Sequence, residues 1–285
     1  MKKIAIVGLG LIGGSLALAL KGFEDYTVVG GARRQATVDY ALAHAVGDDA
    51  TLDVEGALAQ ADVTFLCINP TDIVDFMARH RDHFKPGSLV TDVCGIKSAI
   101  MDAAKVLPED VDFIGSHPMA GTEFSGIEHA LVDMFHGAHY IITPRPQSRP
   151  ENIALLERMA RYLGCRDVVT TTPEQHDAII AYTSQMMHVI AVSVCDDERL
   201  FTCKGYEGSS FRGCTRVAAL DVPLWTQLFS LNAPALTQCL DIFIQNLSHY
   251  RDVIANRDGG QLYDMLSVSS DRKRQNDLPG PDLLH

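Results

Sequence analysis

The chain has 285 residues, 24 of them basic and 36 acidic, and its formal charge of −12 disfavours nucleic acid or an anionic membrane as its main partner. Seven cysteines, an odd number without any Cys-x-x-Cys pair, argue for free thiols in a reducing cytoplasm and against both a disulfide framework and a zinc site. We therefore expect a cytoplasmic globular protein, long enough for two domains, whose anionic ligands are bound by local positive groups.

The N-terminus carries a dinucleotide-binding pattern. An apolar run at 3–7 predicts a buried strand, and a glycine-rich turn leads from it into a helix-forming stretch at 15–21. The glycines of this pattern permit a tight turn, a close approach of backbone to pyrophosphate and close helix packing. The alternative is a glycine-rich turn without a ligand. The cofactor-binding residues expected here are Gly8, Gly10, Leu11, Ile12 and Gly13.

The next strand, predicted at 26–30, lacks the acidic residue that would bind the ribose 2′-hydroxyl of NAD. Arg33 and Arg34 follow it instead, and two arginines favour the 2′-phosphate of NADP. Alternatively, one arginine stacks on the adenine and the other is solvated. The cofactor is therefore expected to be NAD or NADP, with a preference for NADP.

Strands and helices then alternate as far as residue 171. This alternation predicts a doubly wound, mostly parallel α/β sheet, a Rossmann domain, over 1–171. Strands are predicted at 62–69, 88–93, 111–114, 139–143 and 165–170, and helices at 73–80, 97–106 and 152–163. Two histidine pairs, His80/His83 and His136/His139, lack a cluster of acids or cysteines to complete a coordination shell, so no metal site is expected.

After residue 171 the strand signals stop and helices are predicted at 174–195, 224–231 and 235–257. The first is apolar but contains Asp177, Ser184, Gln185 and His188, which argues for a buried helix facing a cavity and against a membrane span. Helices that are apolar on more than one face predict a homodimer. We expect an all-helical domain for substrate binding and dimerisation over 172–266 and a polar tail over 267–285.

One loop combines flexible backbone with an unusual mixture of polar groups. Residues 115–126 read GSHPMAGTEFSG and follow the strand predicted at 111–114. The carboxyl end of such a strand is where an open α/β sheet usually holds its ligand. His117 is the first candidate for chemistry, and a role as a brace of the loop is its alternative.

With these motifs the chain resembles the prephenate/arogenate dehydrogenase family over roughly residues 1–265. The matching segments are GLGLIGGSLA near the N-terminus, VTDVCGIK at 90–97, the loop at 115–126, a Ser-x-x-x-His pair in the long helix and FRGCTRVA at 211–218, with Trp225 and Asn232 at the family's usual positions. The resemblance implies an NAD(P)-dependent oxidoreductase of tyrosine biosynthesis. Its reaction would be the oxidative decarboxylation of prephenate to 4-hydroxyphenylpyruvate.

The resemblance also implies site residues. Neutral His117 would be the base that accepts the ring hydroxyl's hydrogen bond as hydride leaves. The dianionic substrate needs cations, and Arg216 would bind its carboxylate with Arg212 beside it. Glu123 would pair with Arg216, and Ser184 and His188 would line the substrate pocket. Asp92 would belong to the cofactor site.

Each of these roles has a structural alternative. Arg216 could pair with Asp221, His188 could be a core histidine, and Ser184 could bond to its own helix. Lys97 is either a solvated residue at a helix N-terminus or a contact to cofactor or protein.

Two positions depart from the family pattern. Gly95 stands where many relatives have a serine that orients the histidine, so that bond would come from Ser116, from a water or from nowhere. Met187 precedes His188 where a proline is common, which leaves the local bend of that helix open.

Alternative functions are an arogenate dehydrogenase, another dehydrogenase of a small hydroxy or imino acid with a helical second domain, and a dinucleotide sensor without catalysis. A sensor would not need the pairing of His117 with Arg216.

Overall fold

A computed structural model describes residues 1–122 and 124–278. Its centre is an eight-stranded sheet with the strand order β3-β2-β1-β4-β5-β6-β7-β8. The strands are β1 (Lys2–Val7), β2 (Tyr26–Gly31), β3 (Asp49–Thr51), β4 (Val63–Leu66), β5 (Leu89–Asp92), β6 (Asp112–Pro118), β7 (His139–Thr143) and β8 (Asp167–Thr170).

α-Helices connect the parallel strands. They are α1 (Leu11–Ala19), α2 (Gln35–Ala43), α3 (Val54–Gln60), α4 (Pro70–His80), α5 (Ser98–Ala103) and α6 (Pro150–Tyr162). The first six strands pair in parallel, while β7 runs antiparallel to β6 and parallel to β8. The predicted doubly wound, mostly parallel sheet is thereby confirmed.

No element is predicted from the sequence between residues 35 and 61, where the structure has α2, β3 and α3. The reason is that β3 is only three residues long and α3 seven, too short for a periodic pattern to emerge. Two apolar cores, one on each face of the sheet, fix the strands. One contains Ile4 and Phe65, and the other contains Val90 and Phe113.

Helices follow β8, as predicted. They are α7 (Pro173–Ile180), a π-helical turn (Ala181–Gln185), α8 (Met186–Cys195), α9 (Ser209–Thr215) and α10 (Val222–Leu231). Thr172 begins α7 as its N-cap, accepting a hydrogen bond from the Gln175 N–H at 3.2 Å. The π turn lies directly before the Met186-Met187-His188 segment, so the helix departs from α geometry there without a proline.

The run Pro173–Cys195 is long and apolar enough to cross a membrane by composition alone, with a mean hydropathy of 1.5. Three of its polar side chains nevertheless lie in the protein interior. His176, Asp177 and Gln185 are buried and hydrogen-bonded to protein groups. Buried polar groups with protein partners argue against a lipid-facing segment.

The chain forms two compact units, the first being Met1–Asn232 and the second beginning at Ala233. The predicted boundary at residue 171 lies inside the first unit, in which α7 packs against α5 and α10 packs against α4. The second unit contains α11 (Ala233–Ala255) and α12 (Gly259–Asn276). Asp258 caps α12 by accepting from the Gln261 N–H at 2.9 Å. Residues 267–276 of the predicted polar tail are thus helical.

Candidate active site

The glycine-rich turn between β1 and α1 has the geometry of a phosphate cradle. Gly8 has a φ of +96°, and a Cβ there would lie 2.5 Å from the Cys67 carbonyl oxygen. A Cβ on Gly13 would lie 1.9 Å from the Gly8 carbonyl oxygen, whereas one on Gly10 would have no neighbour within 4 Å. The turn therefore leaves open space at Gly10, whereas Gly8 and Gly13 pack closely against backbone.

The N-terminus of α1 faces this space without a side-chain cap, since its N-cap residue is Gly10. The N–H groups of a first helical turn have no partner within the helix and carry partial positive charge. The Leu11 side chain is buried and that of Ile12 half-buried, so these two residues can offer backbone N–H groups to a ligand. Arg33 and Arg34 follow β2 as exposed residues, with Arg34 at the N-cap position of α2. These features fit a dinucleotide.

His117 is the second-last residue of β6, near the carboxyl end of the strand, and is half-buried. Its Nδ1 lies 3.0 Å from Nε2 of His176, and Nδ1 of His176 lies 2.8 Å from Oδ1 of Asp177. The three side chains form a relay from the sheet edge into α7. His176 was missed in the sequence analysis, although a His-Asp pair one turn after a Thr-Pro helix cap was the available signal.

Asp177 is anchored from several elements. Its two oxygens accept from the backbone N–H groups of Lys97 at 2.7 Å and Ser98 at 2.8 Å, at the start of α5. Its carbonyl accepts from Nδ2 of Asn232, which also donates to Oε1 of Gln185. The relay is thus held between α5, the π turn and the end of α10.

Asp92 and Lys97 form a buried ion pair beside the relay, and both side chains are fully inaccessible. Asp92 also accepts from the backbone N–H groups of Cys94 at 2.8 Å and Ser116 at 3.2 Å. The alternative of a solvated Lys97 is wrong, and Lys97 is a contact to protein. Asp92, expected at the cofactor site, has its oxygens taken by protein groups and braces the ends of β5 and β6.

The bond that orients His117 comes from His176 and not from Ser116. Ser116 is buried, and its hydroxyl is bonded to the Asp92 carbonyl, to Thr91 and to the Tyr140 hydroxyl. Gly95 lies against the other ring edge, where a Cβ would be 3.8 Å from Cε1 and 3.9 Å from Nε2 of His117. The missing side chain at Gly95 leaves space beside the outer nitrogen.

Ser184, His188, Arg212 and Arg216 lie on the helical elements between residues 181 and 218. His188 stacks on Trp225 with ring centroids 3.6 Å apart, and its Nδ1 lies 3.0 Å from the Ser184 carbonyl oxygen. The exposed Arg216 is close enough to depress the pKa of His188, after the larger effect of burial. Ser184 is half-buried, and it is its neighbour Thr183 that bonds back to the helix, at the Ile179 carbonyl.

The remaining predicted residues are placed as follows. Asp221 caps α10 by accepting from the Leu224 N–H at 3.0 Å, and no Arg216–Asp221 ion pair occurs in the part of the chain that the structure describes. Arg212 is exposed on α9, one turn before Arg216. Glu123 lies outside the described residues.

The electrostatics of the relay favour neutral imidazoles beside an ionised carboxylate. Burial, then the nearby Lys97 ammonium, holds the pKa of His117 well below its ordinary value of 6.5. Burial also lowers the pKa of His176, although its bond to Asp177 opposes this. Burial by itself would raise the pKa of Asp177, but hydrogen bonds from His176 and Ser98 bring it below its ordinary value. A neutral imidazole with one free nitrogen can act as a general base near neutral pH.

Comparison with known proteins bears on both halves of the chain. Residues 16–169 match the family model of the prephenate dehydrogenase nucleotide-binding domain, and residues 172–268 match that of the prephenate dehydrogenase dimerization domain. A cyclohexadienyl dehydrogenase of Zymomonas mobilis is 34% identical over 276 residues, covering 94% of each chain.

Two solved structures cover nearly the whole chain. The Synechocystis arogenate dehydrogenase has a TM-score of 0.82 at 30% identity, covering 96% of this chain and 99% of that one. The Aquifex aeolicus prephenate dehydrogenase, in complex with hydroxyphenyl propionate and NAD+, has a TM-score of 0.86 at 25% identity, covering 97% and 99%.

Proposed function

The chain belongs to the prephenate dehydrogenase family, and we propose that it catalyses the NAD(P)-dependent oxidative decarboxylation of prephenate to 4-hydroxyphenylpyruvate in tyrosine biosynthesis. The observation that carries this proposal is His117, a half-buried imidazole with a lowered pKa at the carboxyl end of β6. One nitrogen is bonded to His176 and the other faces the space beside Gly95. This is the arrangement needed by a base that receives a proton from a bound alcohol.

The reaction can be followed through the chain's own groups. His117 Nε2 accepts the proton of the ring hydroxyl as that carbon is oxidised, and the bound nicotinamide supplies a two-electron acceptor for the hydride. The carbon–carbon bond to the ring carboxylate then breaks, its electron pair makes the ring aromatic, and carbon dioxide leaves. The proton held on His117 returns to the phenolate oxygen. No separate acid is needed, because the same imidazole serves both steps.

Substrate binding requires cations on an acidic protein. Arg216 supplies a guanidinium that can bind a carboxylate in bidentate fashion, and the exposed Arg212 adds positive charge one turn away. Ser184 and His188 line the same pocket, with His188 held flat against Trp225.

The cofactor would be held by the turn between β1 and α1, where Gly10 leaves room for a pyrophosphate, Gly8 and Gly13 allow the turn to pack closely, and Leu11 and Ile12 offer backbone N–H groups. Arg33 and Arg34 occupy the position at which NAD-specific sheets carry an acid, which supports a preference for NADP. Replacing both arginines by alanine should remove that preference. Equal use of NAD and NADP by the unmodified enzyme would contradict it.

The enzyme acts in the cytoplasm as a homodimer formed through its helical part. The match of residues 172–268 to a dimerization domain supports the dimer. The second unit also exposes large apolar side chains, among them Ile244 and Leu247 on α11 and Tyr263 on α12.

Steady-state kinetics test the proposal. Absorbance at ~340 nm should rise with prephenate and an oxidised dinucleotide, and His117→Asn should lower kcat by about 10²–10⁴-fold with cofactor affinity unchanged. An unchanged kcat would remove His117 from the mechanism. Arg216→Ala should chiefly raise the KM for prephenate, and lost stability with an unchanged KM would make Arg216 structural.

Arogenate is the second candidate substrate, supported by the similarity to the Synechocystis arogenate dehydrogenase. Parallel assays with both substrates and both cofactors decide between them. A protein that binds dinucleotide tightly but turns over neither substrate would be a sensor. Oxidation of a different hydroxy or imino acid would identify another dehydrogenase.

A further inference from the structure

The contacts of the relay determine which nitrogen of each imidazole carries the proton. A carboxylate can only accept hydrogen bonds, so Nδ1 of His176 must donate to Oδ1 of Asp177 at 2.8 Å. His176 is buried, and Lys97 and Asp92 lie near enough to affect its pKa. A neutral His176 that is protonated on Nδ1 has a bare Nε2 and can only accept there.

The contact with His176 also fixes the position of the proton on the His117 ring. Nδ1 of His117 lies 3.0 Å from the bare Nε2 of His176, so His117 must donate from Nδ1. Being neutral as well, His117 then has its lone pair on Nε2. That nitrogen is the one next to the open position at Gly95.

We propose that His176, fixed by Asp177, is a positioning residue that locks His117 in the Nδ1-protonated tautomer and thereby makes Nε2 the proton acceptor of the reaction. The role of Nε2 as proton acceptor rests on the proposed function, but the tautomer itself is a property of the free enzyme. Asp177 is anchored by the backbone of Lys97 and Ser98, so the lock is set by folding before any ligand binds.

Nitrogen-15 NMR of the enzyme labelled at histidine tests the tautomer directly. At neutral pH and without substrate, the signals of His117 and of His176 should each show a protonated Nδ1 and an unprotonated Nε2. The spectra of His117→Asn and His176→Gln assign these signals, because each variant lacks one of the two sets. A proton on Nε2 of His117, or rapid exchange between its tautomers, would overturn the proposal. Because no turnover is measured, this result is independent of whether prephenate is the substrate.

Kinetics of two His176 variants give a second readout. The carboxamide oxygen of His176→Gln can still accept from Nδ1 of His117, so kcat should stay within about tenfold of the parent value, whereas His176→Leu should lose about 100-fold or more. The KM for prephenate should change little in either, and the exposed His44→Gln serves as the matched control. Full kcat in a folded His176→Leu variant would refute the lock. If that variant does not fold, the NMR measurement decides.

A second group of side chains converges away from the relay. Nδ1 of His80, at the end of α4, lies 3.1 Å from Oε1 of Glu55 on α3, and Nε2 of His83 lies 3.4 Å from Oε2 of the same carboxylate. One ligand atom from each residue falls in a group no more than 4.8 Å across. No metal is predicted here from the sequence because Glu55 lies 25 residues from His80 in the chain, and only the fold brings it close.

We infer that Glu55, His80 and His83 bind a divalent transition metal of the zinc type. Imidazole and carboxylate ligands suit Zn²⁺ at bond lengths of about 2.0–2.2 Å, which places ligand atoms a little over 3 Å apart. The spacings between Glu55 and the two histidines are already close to this. The side chains of Glu55 and His83 are 51% and 43% exposed, so a metal can reach them from solvent.

Isothermal titration with Zn²⁺ alone tests this site. One equivalent should bind with a Kd below about 100 µM. Glu55→Gln and His83→Asn should each weaken binding at least tenfold, while His44→Gln should not. Co²⁺ spectra distinguish this site from the seven cysteines, because thiolate ligands add strong near-ultraviolet charge-transfer bands. Absence of binding, or binding that both variants retain, would refute the site.

Discussion

Removing Asp92 should leave the Lys97 ammonium buried without its partner. Both side chains are fully inaccessible, so water cannot replace the lost contact. Breaking a buried pair in this way costs about 3–5 kcal/mol of folding free energy. Asp92→Ala should therefore lower the free energy of unfolding by that amount, measured by urea denaturation with circular dichroism and the fluorescence of the single tryptophan, Trp225.

The reverse variant should cost less. In Lys97→Met the Asp92 carboxylate keeps the hydrogen bonds from the Cys94 and Ser116 N–H groups, at 2.8 and 3.2 Å. The double variant Asp92→Leu with Lys97→Met removes both charges but leaves the Cys94 and Ser116 N–H groups without an acceptor, at about 1–3 kcal/mol each. It should therefore be more stable than Asp92→Ala but less stable than the parent. A loss below about 1 kcal/mol for Asp92→Ala would refute the buried-charge reasoning.

Three further predictions concern the site itself. Gly10→Ala should raise the dinucleotide Kd at least tenfold in calorimetry, with the free energy of unfolding unchanged within about 0.5 kcal/mol. Gly13→Ala should instead lower the free energy of unfolding by about 1–3 kcal/mol, because its Cβ would meet the backbone of Gly8 whereas that of residue 10 would meet nothing. Gly95→Ser should be tolerated, but Gly95→Leu should fill the space at His117 Nε2 and lower kcat/KM for prephenate by about tenfold or more, equivalent to about 1.4 kcal/mol. Since the lowered pKa of His117 leaves the base unprotonated below its ordinary pKa, the acid limb of the kcat/KM profile should have its midpoint below pH 6.5.

Each of these has a contrary result. Parental cofactor affinity in Gly10→Ala would mean that the pyrophosphate does not approach that turn. Parental kinetics in Gly95→Leu would mean that Nε2 of His117 is not the reacting nitrogen. An acid limb with its midpoint above 6.5 would show that His117 is protonated more easily than its burial and Lys97 imply.

Much of the site could be predicted because its signals are local in the chain. The turn from Gly8 to Gly13 and the loop around His117 are each recognisable within a dozen residues. A tight turn, a close backbone approach to a ligand and an imidazole at a strand end each need particular residues at fixed spacing. The mostly parallel sheet was predictable for the same reason, because each strand and helix carries its own apolar pattern.

The contacts that complete the site were decided only by tertiary structure. His176 reaches His117 across 59 residues, Asn232 reaches Asp177 across 55, and Glu55 reaches His80 across 25. No local pattern reports such pairs, because the residues meet only when the elements that carry them pack together in the fold. The sequence by itself made His117 the candidate base, and the fold decided that His176 is the partner that holds its ring.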